Sequence, residues 1–466
     1  MFTVVARSED FETKGVFYDK ILISDALEQM GIVQHKPCGG KGICGKCKVI
    51  ANGVEVCACK TYVQEDTYIK YTTFKSDVQV VTDSFVTDFE INPLVKEGLG
   101  MAVDIGTTTI AAVLYKFPGG EKLCSVSAPN NQAVYGADVI SRIEYALKGG
   151  LEKLQGIVSG QIAQFSEKAD SDIETYVITG NTAMLHLLTG KNPSGMATAP
   201  FVPESLFGCR MEKAYIPGCI SAYVGADMTC AILSCGMLED KVSFLVDIGT
   251  NGEMALWCNG KLVCCSTAAG PAFEGAGISC GMLAQAGAID KVYIEDGEIK
   301  YSVLENKAPV GICGTGIIDA LACMIKAGII DETGYLEEDF QIGDSGICIT
   351  AGDVRQIQLA KAAIRAGIDT LIHHCGINCD DIERFYIAGG FGKFINIDSA
   401  CEIGLIPREI SKKAIAAGNA ALGGAEMILL SGECMKKSDE IADMAEVVDL
   451  TRGEYFMEKY MENMFF

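Results

Sequence analysis

The sequence predicts two kinds of fold in one chain: a small α+β module at the N-terminus and a larger α/β part built from two similar halves. A chain of 466 residues can hold two or three domains. Its first 75 or so residues suggest short strands with one helix, whereas strands and helices alternate from Leu99 onward. The pentapeptide VDIGT occurs at Val103–Thr107 and again at Val246–Thr250, which indicates that one structural unit is repeated.

The N-terminal module is predicted from a run of short elements. The strand-like segments FTVVAR and GVFYDKILI lead into a helix, SDALEQMGI. A glycine-rich loop follows, and KCKVIANGVEV then predicts a hairpin because Asn52-Gly53 favours a tight turn. This order resembles a small β-grasp module. We expect it to span residues 1–78, with a linker over residues 79–98.

A cluster of cysteines lies in this module. Cys38, Cys44 and Cys47 are spaced C-x5-C-x2-C, and Cys59 follows after eleven further residues. Thiolates are the usual ligands of [2Fe–2S] clusters. Four glycines between Cys38 and Cys47 allow backbone N–H groups to approach the sulfurs. The pattern therefore favours a [2Fe–2S] site with Cys38, Cys44, Cys47 and Cys59 as ligands.

Two alternatives remain open at this loop. A structural zinc site prefers paired C-x2–4-C knuckles, and only Cys44 and Cys47 have that spacing. Cys57 lies on the same strand face as Cys59, so either can supply the fourth ligand. Cys59 is favoured because it lies at the end of the strand, where the chain can turn toward a cluster.

The repeated pentapeptide predicts a phosphate site. In each copy a strand ends in an aspartate that can hold a hydrated Mg²⁺ or orient a water, and a glycine lets the backbone approach a phosphate. Two such turns facing each other would bind one triphosphate from both sides. The predicted catalytic residues are Asp104 and Asp247, and the predicted nucleotide-binding residues of the turns are Gly106, Thr107, Thr108, Gly249, Thr250 and Asn251.

Two further glycine loops follow the second turn. VGICGTGIIDAL places Gly314 and Gly316 at the start of a helix, where anions and nucleotides bind. FYIAGGFGKFIN places Gly389 and Gly390 after a strand, where an adenine can lie flat on the backbone. Each loop alone is a weak signal, but the order of aspartate turn, aspartate turn and glycine pair is specific.

This order resembles the actin/Hsp70/sugar-kinase superfamily of ATPases, which have a duplicated, ribonuclease-H-like fold. Asp104 and Asp247 match its two phosphate motifs, and Gly389-Gly390 matches its adenosine motif. Residues 225–236 and 418–430 match its two connecting helices. The resemblance implies an ATPase over residues 99–466, with one half formed by about 99–236 and 420–466 and the other by about 240–418.

A cysteine-rich module before such an ATPase resembles the reductive activators of corrinoid proteins. The resemblance covers nearly the whole chain and implies that ATP, Mg²⁺ and a [2Fe–2S] cluster return a Co(II) corrinoid protein to Co(I). Its partners would be that corrinoid protein and an upstream electron donor. Longer members carry an extra middle domain, for which this chain leaves little room.

Three residues have two interpretations each. Glu274 and Ser279 belong either to a corrinoid-facing loop or to a glycine-rich loop that borders the nucleotide cleft. Asn181 lies either near the γ-phosphate or in a purely structural turn. Alternative functions are an electron donor for another low-potential enzyme, a small-molecule kinase, and a non-catalytic regulator that binds ATP and an iron–sulfur cluster.

The composition excludes other classes of function. The formal net charge is −23, which disfavours binding to nucleic acid and to anionic membranes. The sequence has no apolar run of about 18 residues, and its start lacks the pattern of a secretory signal. We therefore expect a cytoplasmic protein whose 21 cysteines are mostly reduced, as suits an anaerobic host. The oligomeric state stays open, a homodimer included.

Overall fold

The structure is a computed structural model of the chain. It describes residues 1–8, 11–32, 42, 47–71, 85–93, 95–169, 171–390, 394–450 and 453–466. Over these ranges, no helix combines the length and the apolar character that a membrane span requires.

The N-terminal module is a small sheet with one helix packed against it. Its elements are β1 Phe2–Arg7, β2 Glu12–Phe17, β3 Ile21–Leu22, α1 Ile23–Gln29, β4 Lys48–Ala51, β5 Val54–Cys57, β6 Tyr62–Val63 and β7 Thr67–Lys70. Among the described residues the main sheet has the order β2-β1-β7-β4-β5, with β1 parallel to β7. Val4 and Ala6 of β1 are buried together with Leu27 of α1, as the alternation in FTVVAR requires. This confirms the predicted α+β module, whose boundary at residue 78 lies outside the described residues.

The first half of the α/β part follows the module. Its elements are β8 Gly98–Ile105, β9 Thr109–Phe117, β10 Glu121–Pro129, α2 Val139–Tyr145, α3 Leu151–Ser166, β11 Ile173–Gly180, α4 Thr182–Thr189, β12 Phe207–Met211, β13 Ala214–Gly218 and α5 Ala226–Cys235. The described strands form one sheet in the order β10-β9-β8-β11-β13-β12. Strand β8 is central, which explains its nearly continuous burial.

The second half repeats this plan with additions. Its elements are β14 Val242–Ile248, β15 Gly252–Cys258, β16 Lys261–Thr267, β17 Ala288–Glu295, β18 Glu298–Val303, β19 Gly311–Ile312, α6 Gly314–Lys326, β20 Phe340–Gln341, β21 Cys348–Ile349, α7 Ala351–Cys375, β22 Arg384–Ala388, α8 Ile397–Glu402 and β23 Ala414–Gly418. After them come α9 Ala420–Leu430, α10 Gly432–Met444, β24 Glu446–Val447 and α11 Glu454–Glu462. The described strands of the main sheet have the order β23-β22-β14-β15-β16-β24.

The two halves share the same local topology around their aspartates. In the first half β8 pairs antiparallel with β9 and parallel with β11. In the second half β14 pairs antiparallel with β15 and parallel with β22. Each VDIGT aspartate therefore lies at the C-terminal end of a central strand, at the turn into a hairpin, which confirms the predicted duplication.

The predicted connecting helices, α5 and α9, pack closely together between the two sheets. Their buried side chains share one hydrophobic cluster with residues of both halves. The close approach requires Gly424, because a methyl group there would lie 2.1 Å from the carbonyl oxygen of Cys230. Because side chains of both halves pack closely in this core, a displacement of one half is transmitted to the other.

The prediction that residues 420–466 belong with the first half is only partly right. Helices α9 and α10 pack on the first half, but β24 pairs with β16, and α11 packs against α7 of the second half. The buried amine of Lys361 explains this docking, since it donates to the carbonyl oxygen of Phe465. Gln358 likewise donates to the carbonyl of Met464 at 2.9 Å. Residues 446–466 therefore belong to the second half.

The described part of the linker lies across the ends of the connecting helices. The amide of Thr87 donates to the carbonyl of Ser234 at 3.0 Å, and the amide of Asn92 donates to that of Leu430 at 2.9 Å. Residues 85–93 form no extended strand beyond a single bridge between Asn92 and Ser431. The described residues of this segment therefore form a connector between the N-terminal module and β8.

Candidate nucleotide cleft and cysteine site

The first aspartate turn lies at the end of β8. Asp104 accepts a hydrogen bond at 3.0 Å from the side-chain amide of Asn419, which also caps the N-terminus of α9. Burial raises the pKa of the Asp104 carboxyl to about 7, the hydrogen bond from Asn419 opposes that rise, and the charges of Asp227 and Asp247 add to it. The three carboxylates therefore lie close enough to influence one another, in the candidate cleft between the two halves.

The second turn carries a carboxylate with a similar environment. Burial, together with the charges of Asp227 and Glu274, raises the pKa of Asp247 to about 7. Gly389 is packed against Asp247, because a methyl group there would lie 2.7 Å from Asp247 Oδ1. Gly389 also has a φ of +94°, which favours glycine. The structure thus brings the predicted third motif beside the second.

Two further acidic residues of the cleft were missed from sequence as site residues. Burial raises the pKa of Asp227, at the start of α5, to about 6, and raises that of Glu253 on β15 well above its ordinary value. Glu253 is the cross-strand partner of Asp247. The hairpin VDIGTNGE could have identified Glu253, because it places this residue opposite Asp247. The segment GADMTCAILSCG could have identified Asp227, because Asp227 is the one acidic residue in an otherwise apolar segment.

Asn181 connects the two halves across this cleft. Its side-chain oxygen accepts from the amide of Ala183 at 3.0 Å and so caps α4. Its side-chain nitrogen donates to Glu253 at 3.1 Å. The residue is therefore a helix cap that also contacts the second half, and its place near the γ-phosphate stays a prediction.

Glu274 joins the two aspartate turns. Its carboxylate accepts one hydrogen bond from Thr108 at 2.7 Å and another from Thr250 at 3.1 Å. The two hydroxyls come from opposite halves of the ATPase. Of the two predicted interpretations of Glu274, its place in the loop that borders the cleft is the one its contacts support.

Backbone carbonyls and amides of the turns are also held in place. In the first turn, Asn130 donates to the carbonyls of Gly106 and Thr108 at 2.9 and 2.8 Å, and the buried Arg142 donates to that of Thr107. In the second turn, the amide of Gly249 donates to the carbonyl of Asn251 at 3.1 Å, and the amide of Gly270 donates to that of Thr250 at 2.9 Å. Asn130 and Arg142 were not predicted as site residues.

The two predicted glycines of helix α6 lie at the start of the helix, close to a neighbouring strand. Gly314 begins the helix, and Gly316 packs against β17, where a methyl group would lie 2.4 Å from the carbonyl oxygen of Ile289. Among the described hydrogen bonds, none joins either glycine to an aspartate turn. Packing of helix on strand accounts for Gly316, and nucleotide contact by the pair stays a prediction.

The remaining predicted loop residues are more exposed. Gly390 is exposed and has open space around its Cα, while residues 391–393 of that loop lie outside the described residues. Ser279 is exposed as well, and its amide donates to Asp353 at 2.7 Å. The structure places Ser279 on the surface of the loop that carries Glu274.

Two of the predicted cluster ligands are described, and they lie side by side. The sulfurs of Cys47 and Cys59 are 3.2 Å apart, and the Cys59 amide donates to Cys47 Sγ at 3.5 Å. Both residues are buried, whereas Cys57 is half-exposed at the end of β5. The separation exceeds a disulfide bond of about 2.05 Å and lets both sulfurs face one group. Cys38 and Cys44 lie outside the described residues.

These observations test whether the residues fit the expected cofactors. Two adjacent buried thiols with an N–H···S bond fit an iron–sulfur cluster, whose sulfur ligands accept such bonds. Within the described ranges, no three histidine, cysteine or acidic side chains are grouped as direct metal ligands. The carboxylates of Asp104 and Asp247 supply oxygen atoms of the type that binds Mg²⁺, directly or through water.

A family model described as the C-terminal, ASKHA domain of RACo matches residues 241–466, and one described as the RACo middle region matches residues 99–240. The expectation that a middle domain is missing is therefore wrong. The family's middle region corresponds to the segment that sequence analysis assigned to the first half of the ATPase.

Whole-length relatives agree with the family models. The corrinoid activation enzyme RamQ of Eubacterium limosum is 32% identical and is matched over 96% of both chains. A reductase of the Co(II) methylated amine-specific corrinoid protein from Methanosarcina barkeri is 29% identical over 77% of this chain and 74% of its own. A solved reductive activator for a corrinoid, iron–sulfur protein has a TM-score of 0.71 and 28% identity, covering 100% of this chain and 98% of its own. The chain belongs to the family of reductive activators of corrinoid proteins, with an ATP-binding fold of the ASKHA type.

Proposed function

We propose that the protein is an ATP-dependent reductive activator that returns an inactive Co(II) corrinoid protein to Co(I). One observation carries the proposal: a pair of adjacent buried thiols, Cys47 and Cys59, precedes a two-sided nucleotide cleft in the same chain. Membership of the activator family supports the same reaction.

The cysteine site is proposed to hold a [2Fe–2S] cluster through Cys38, Cys44, Cys47 and Cys59. When bound, such a cluster supplies one-electron transfer. The sulfurs of Cys47 and Cys59 face each other, and the Cys59 amide donates to Cys47. A hydrogen bond to a ligand sulfur helps to set the reduction potential.

The cleft is proposed to bind Mg·ATP between its two halves. The hydroxyls of Thr108 and Thr250 reach one carboxylate from opposite sides, so they can donate to one phosphate group in the same way. Asp104 and Asp247 would orient the water shell of Mg²⁺. ATP supplies binding and hydrolysis energy, and it can promote a demanding reduction only if it favours one conformation over another.

The direct test is the formation of Co(I). The purified protein is mixed with a Co(II) corrinoid protein, a reductant, Mg²⁺ and ATP, and the visible spectrum is followed. We expect Co(I) to form only when ATP is present. If no ATP-dependent Co(I) forms with several corrinoid proteins of methylamine or related methyltransferase systems, the proposed reaction is wrong.

The same assay separates the alternative functions. A small-molecule kinase would yield a phosphorylated product from a panel of metabolites. A regulator would bind ATP without supporting Co(I) formation. An electron donor for another enzyme would hydrolyse ATP and pass its electron to that enzyme instead of to a corrinoid protein.

A matched pair of cysteine variants tests the cluster ligands. Cys59→Ser is expected to lose the visible absorption of the cluster, because Cys59 lies beside Cys47. Cys57→Ser is expected to keep it, because Cys57 is half-exposed on β5, opposite Lys48. Both variants should still bind ATP. Loss of absorption in Cys57→Ser with retention in Cys59→Ser would reverse the assignment.

A further inference from the structure

One segment of the first half holds the backbone of the first aspartate turn. The brace segment, residues 130–145, runs from the end of β10 through a short 3-10 helix to the end of α2. At one end Asn130 donates to the carbonyls of Gly106 and Thr108, at 2.9 and 2.8 Å. At the other end Arg142 donates to the carbonyl of Thr107. Three successive carbonyls of the turn are thus held by the same segment.

The brace segment is rigid inside. Arg142 and Gln132 are fully buried, and Arg142 Nε donates to the carbonyl of Gly136 at 2.8 Å. Gln132 donates to the carbonyl of Leu154 at 2.9 Å, which fixes the segment to α3. A methyl group on Gly136 would lie 2.4 Å from Ser141 Oγ, so the loop has little room to deform. Close packing and buried hydrogen bonds transmit a displacement rather than absorb it.

The outer side of the brace segment contacts the N-terminal module. Glu28 of α1 accepts hydrogen bonds from Tyr135 at 3.2 Å and from Lys153 at 2.8 Å. Lys153 Nζ also lies 4.6 Å from the centre of the Tyr135 ring, and that centre lies 4.7 Å from the centre of the Tyr145 ring, with the two rings tilted by 33°. Leu27, the neighbour of Glu28, is part of the buried core of the module. Helix α1 therefore moves together with the rest of the module.

We propose that docking of the N-terminal module through Glu28 and nucleotide binding at the first aspartate turn stabilise each other through the brace segment. The docked module fixes Tyr135, the brace segment fixes the carbonyls of the turn, and a turn that is already fixed binds a phosphate at lower entropic cost. The inference rests on the proposed function only in requiring that a nucleotide binds this turn. It assigns to the interface with α1 a role in nucleotide affinity.

The contact limits the size of the coupling. Lys153 and Glu28 keep 49% and 33% of their side-chain surface exposed, so their ion pair is screened by water. We therefore expect a coupling of roughly two- to fivefold in affinity. Thermodynamic linkage requires the same factor in both directions: the nucleotide must strengthen docking as much as docking strengthens nucleotide binding.

The first experiment measures the affinity of the whole protein for a non-hydrolysable ATP analogue with Mg²⁺ by calorimetry. Glu28→Gln is expected to bind the analogue about two- to fivefold more weakly than the wild type. Lys153→Met should show the same loss, because it removes the same ion pair from the other side. The matched control is Glu55→Gln, which breaks an exposed ion pair with Lys48 in the same module and should leave the affinity unchanged.

The second experiment measures hydrogen exchange of residues 23–29, with and without the analogue, in the wild type and in Glu28→Gln. The analogue is expected to slow exchange in α1, and Glu28→Gln should abolish that slowing. If the wild type binds the analogue but Glu28→Gln and Lys153→Met bind it equally well or more tightly, the coupling is wrong and the proposed function is untouched. If the wild type binds no nucleotide, the proposed function fails and the coupling fails with it.

Discussion

The two VDIGT turns share five residues of sequence but are held in different ways. The first turn is held by another segment of the same half: the Asn130 and Arg142 side chains donate to the carbonyls of Gly106 and Thr107, and the Asn130 backbone amide donates to that of Thr108. The second turn is held mainly by its neighbours in the same half, through amides of Gly249 and Gly270 and the close packing of Gly389. Two turns with the same five residues therefore differ in their contacts. The first turn is bound by a separate segment that also contacts the N-terminal module, and the second is bound mainly by residues of its own half.

The electrostatic surroundings differ as well. Asp104 has a hydrogen-bond donor, Asn419, that opposes the effect of burial on its pKa. The pKa of Asp247 is raised by burial and by the charges of Asp227 and Glu274, and Glu253 lies across the hairpin from it. We infer that the second turn depends more strongly on a cation for its charge balance, and this difference can be tested by substitution.

The largest effect is expected from Asp247→Asn. This change removes a carboxylate from the turn with the denser negative charge, so Mg²⁺ and its water shell lose a point of attachment. We expect ATP hydrolysis to fall by about 100-fold or more, while the cluster absorption is kept. Asp339→Asn, at an exposed position, is the control and should hydrolyse ATP normally. Hydrolysis within threefold of the wild type in Asp247→Asn would remove Asp247 from the site.

A large effect on stability is expected from Gly389→Ala. The new methyl group would lie 2.7 Å from Asp247 Oδ1 on a backbone with a φ of +94°. We expect the free energy of unfolding to fall by about 1–3 kcal/mol, together with loss of nucleotide affinity. Gly390→Ala is the matched control because open space surrounds Gly390. Denaturant unfolding should leave Gly390→Ala unchanged, and equal destabilisation of both variants would contradict the packing described.

A smaller effect of opposite sign is expected from Glu274→Gln. The carboxylate of Glu274 takes the hydroxyls of Thr108 and Thr250 that the cleft would offer to phosphate. Removing its charge also lowers repulsion of a triphosphate. At pH 8 we expect Mg·ATP to bind about three- to tenfold more tightly by calorimetry. Weaker binding would instead assign Glu274 to the direct attachment of Mg²⁺ or nucleotide.

The smallest effect is expected from Asn419→Ser, which keeps a helix-capping side chain but withdraws the donor from Asp104. The hydrogen bond from Asn419 lowers the pKa of Asp104, so its loss raises that pKa above about 7. Less of the carboxylate is then ionised at pH 7. We expect the acid limb of the pH profile of ATP hydrolysis to move up by roughly half a unit. A profile that moves to lower pH would contradict this sign.

Much of this cleft could be predicted from the sequence because each predicted feature depends on residues that are close together along the chain. The aspartate turns, the connecting helices and Gly389 are each marked by residues that adjoin a strand end or a helix start. Asn130, Arg142 and Asn419 could not be found in that way. They reach the turns from other elements, and only tertiary packing determines which side chain meets which carbonyl or carboxylate.

The same reasoning explains the corrections. The superfamily resemblance implied that the terminal segment belongs with the first half, but the buried Lys361 and Gln358 of the second half donate to its carbonyls. Glycine at the start of a helix has two common causes, anion binding and close packing. The contacts of Gly316 show close packing of α6 against Ile289, and nucleotide contact by Gly316 stays a prediction.

The central claim is that the two turns form one nucleotide site, and a calorimetric titration tests it most directly. The wild type, Thr108→Val and Thr250→Val are titrated with a non-hydrolysable ATP analogue and Mg²⁺, since valine keeps the shape of threonine and removes only the hydroxyl. We predict one nucleotide per chain and about tenfold weaker binding in each variant, because each loses a hydrogen bond to a charged group. Two nucleotides per chain, or full affinity in either variant, would contradict the claim.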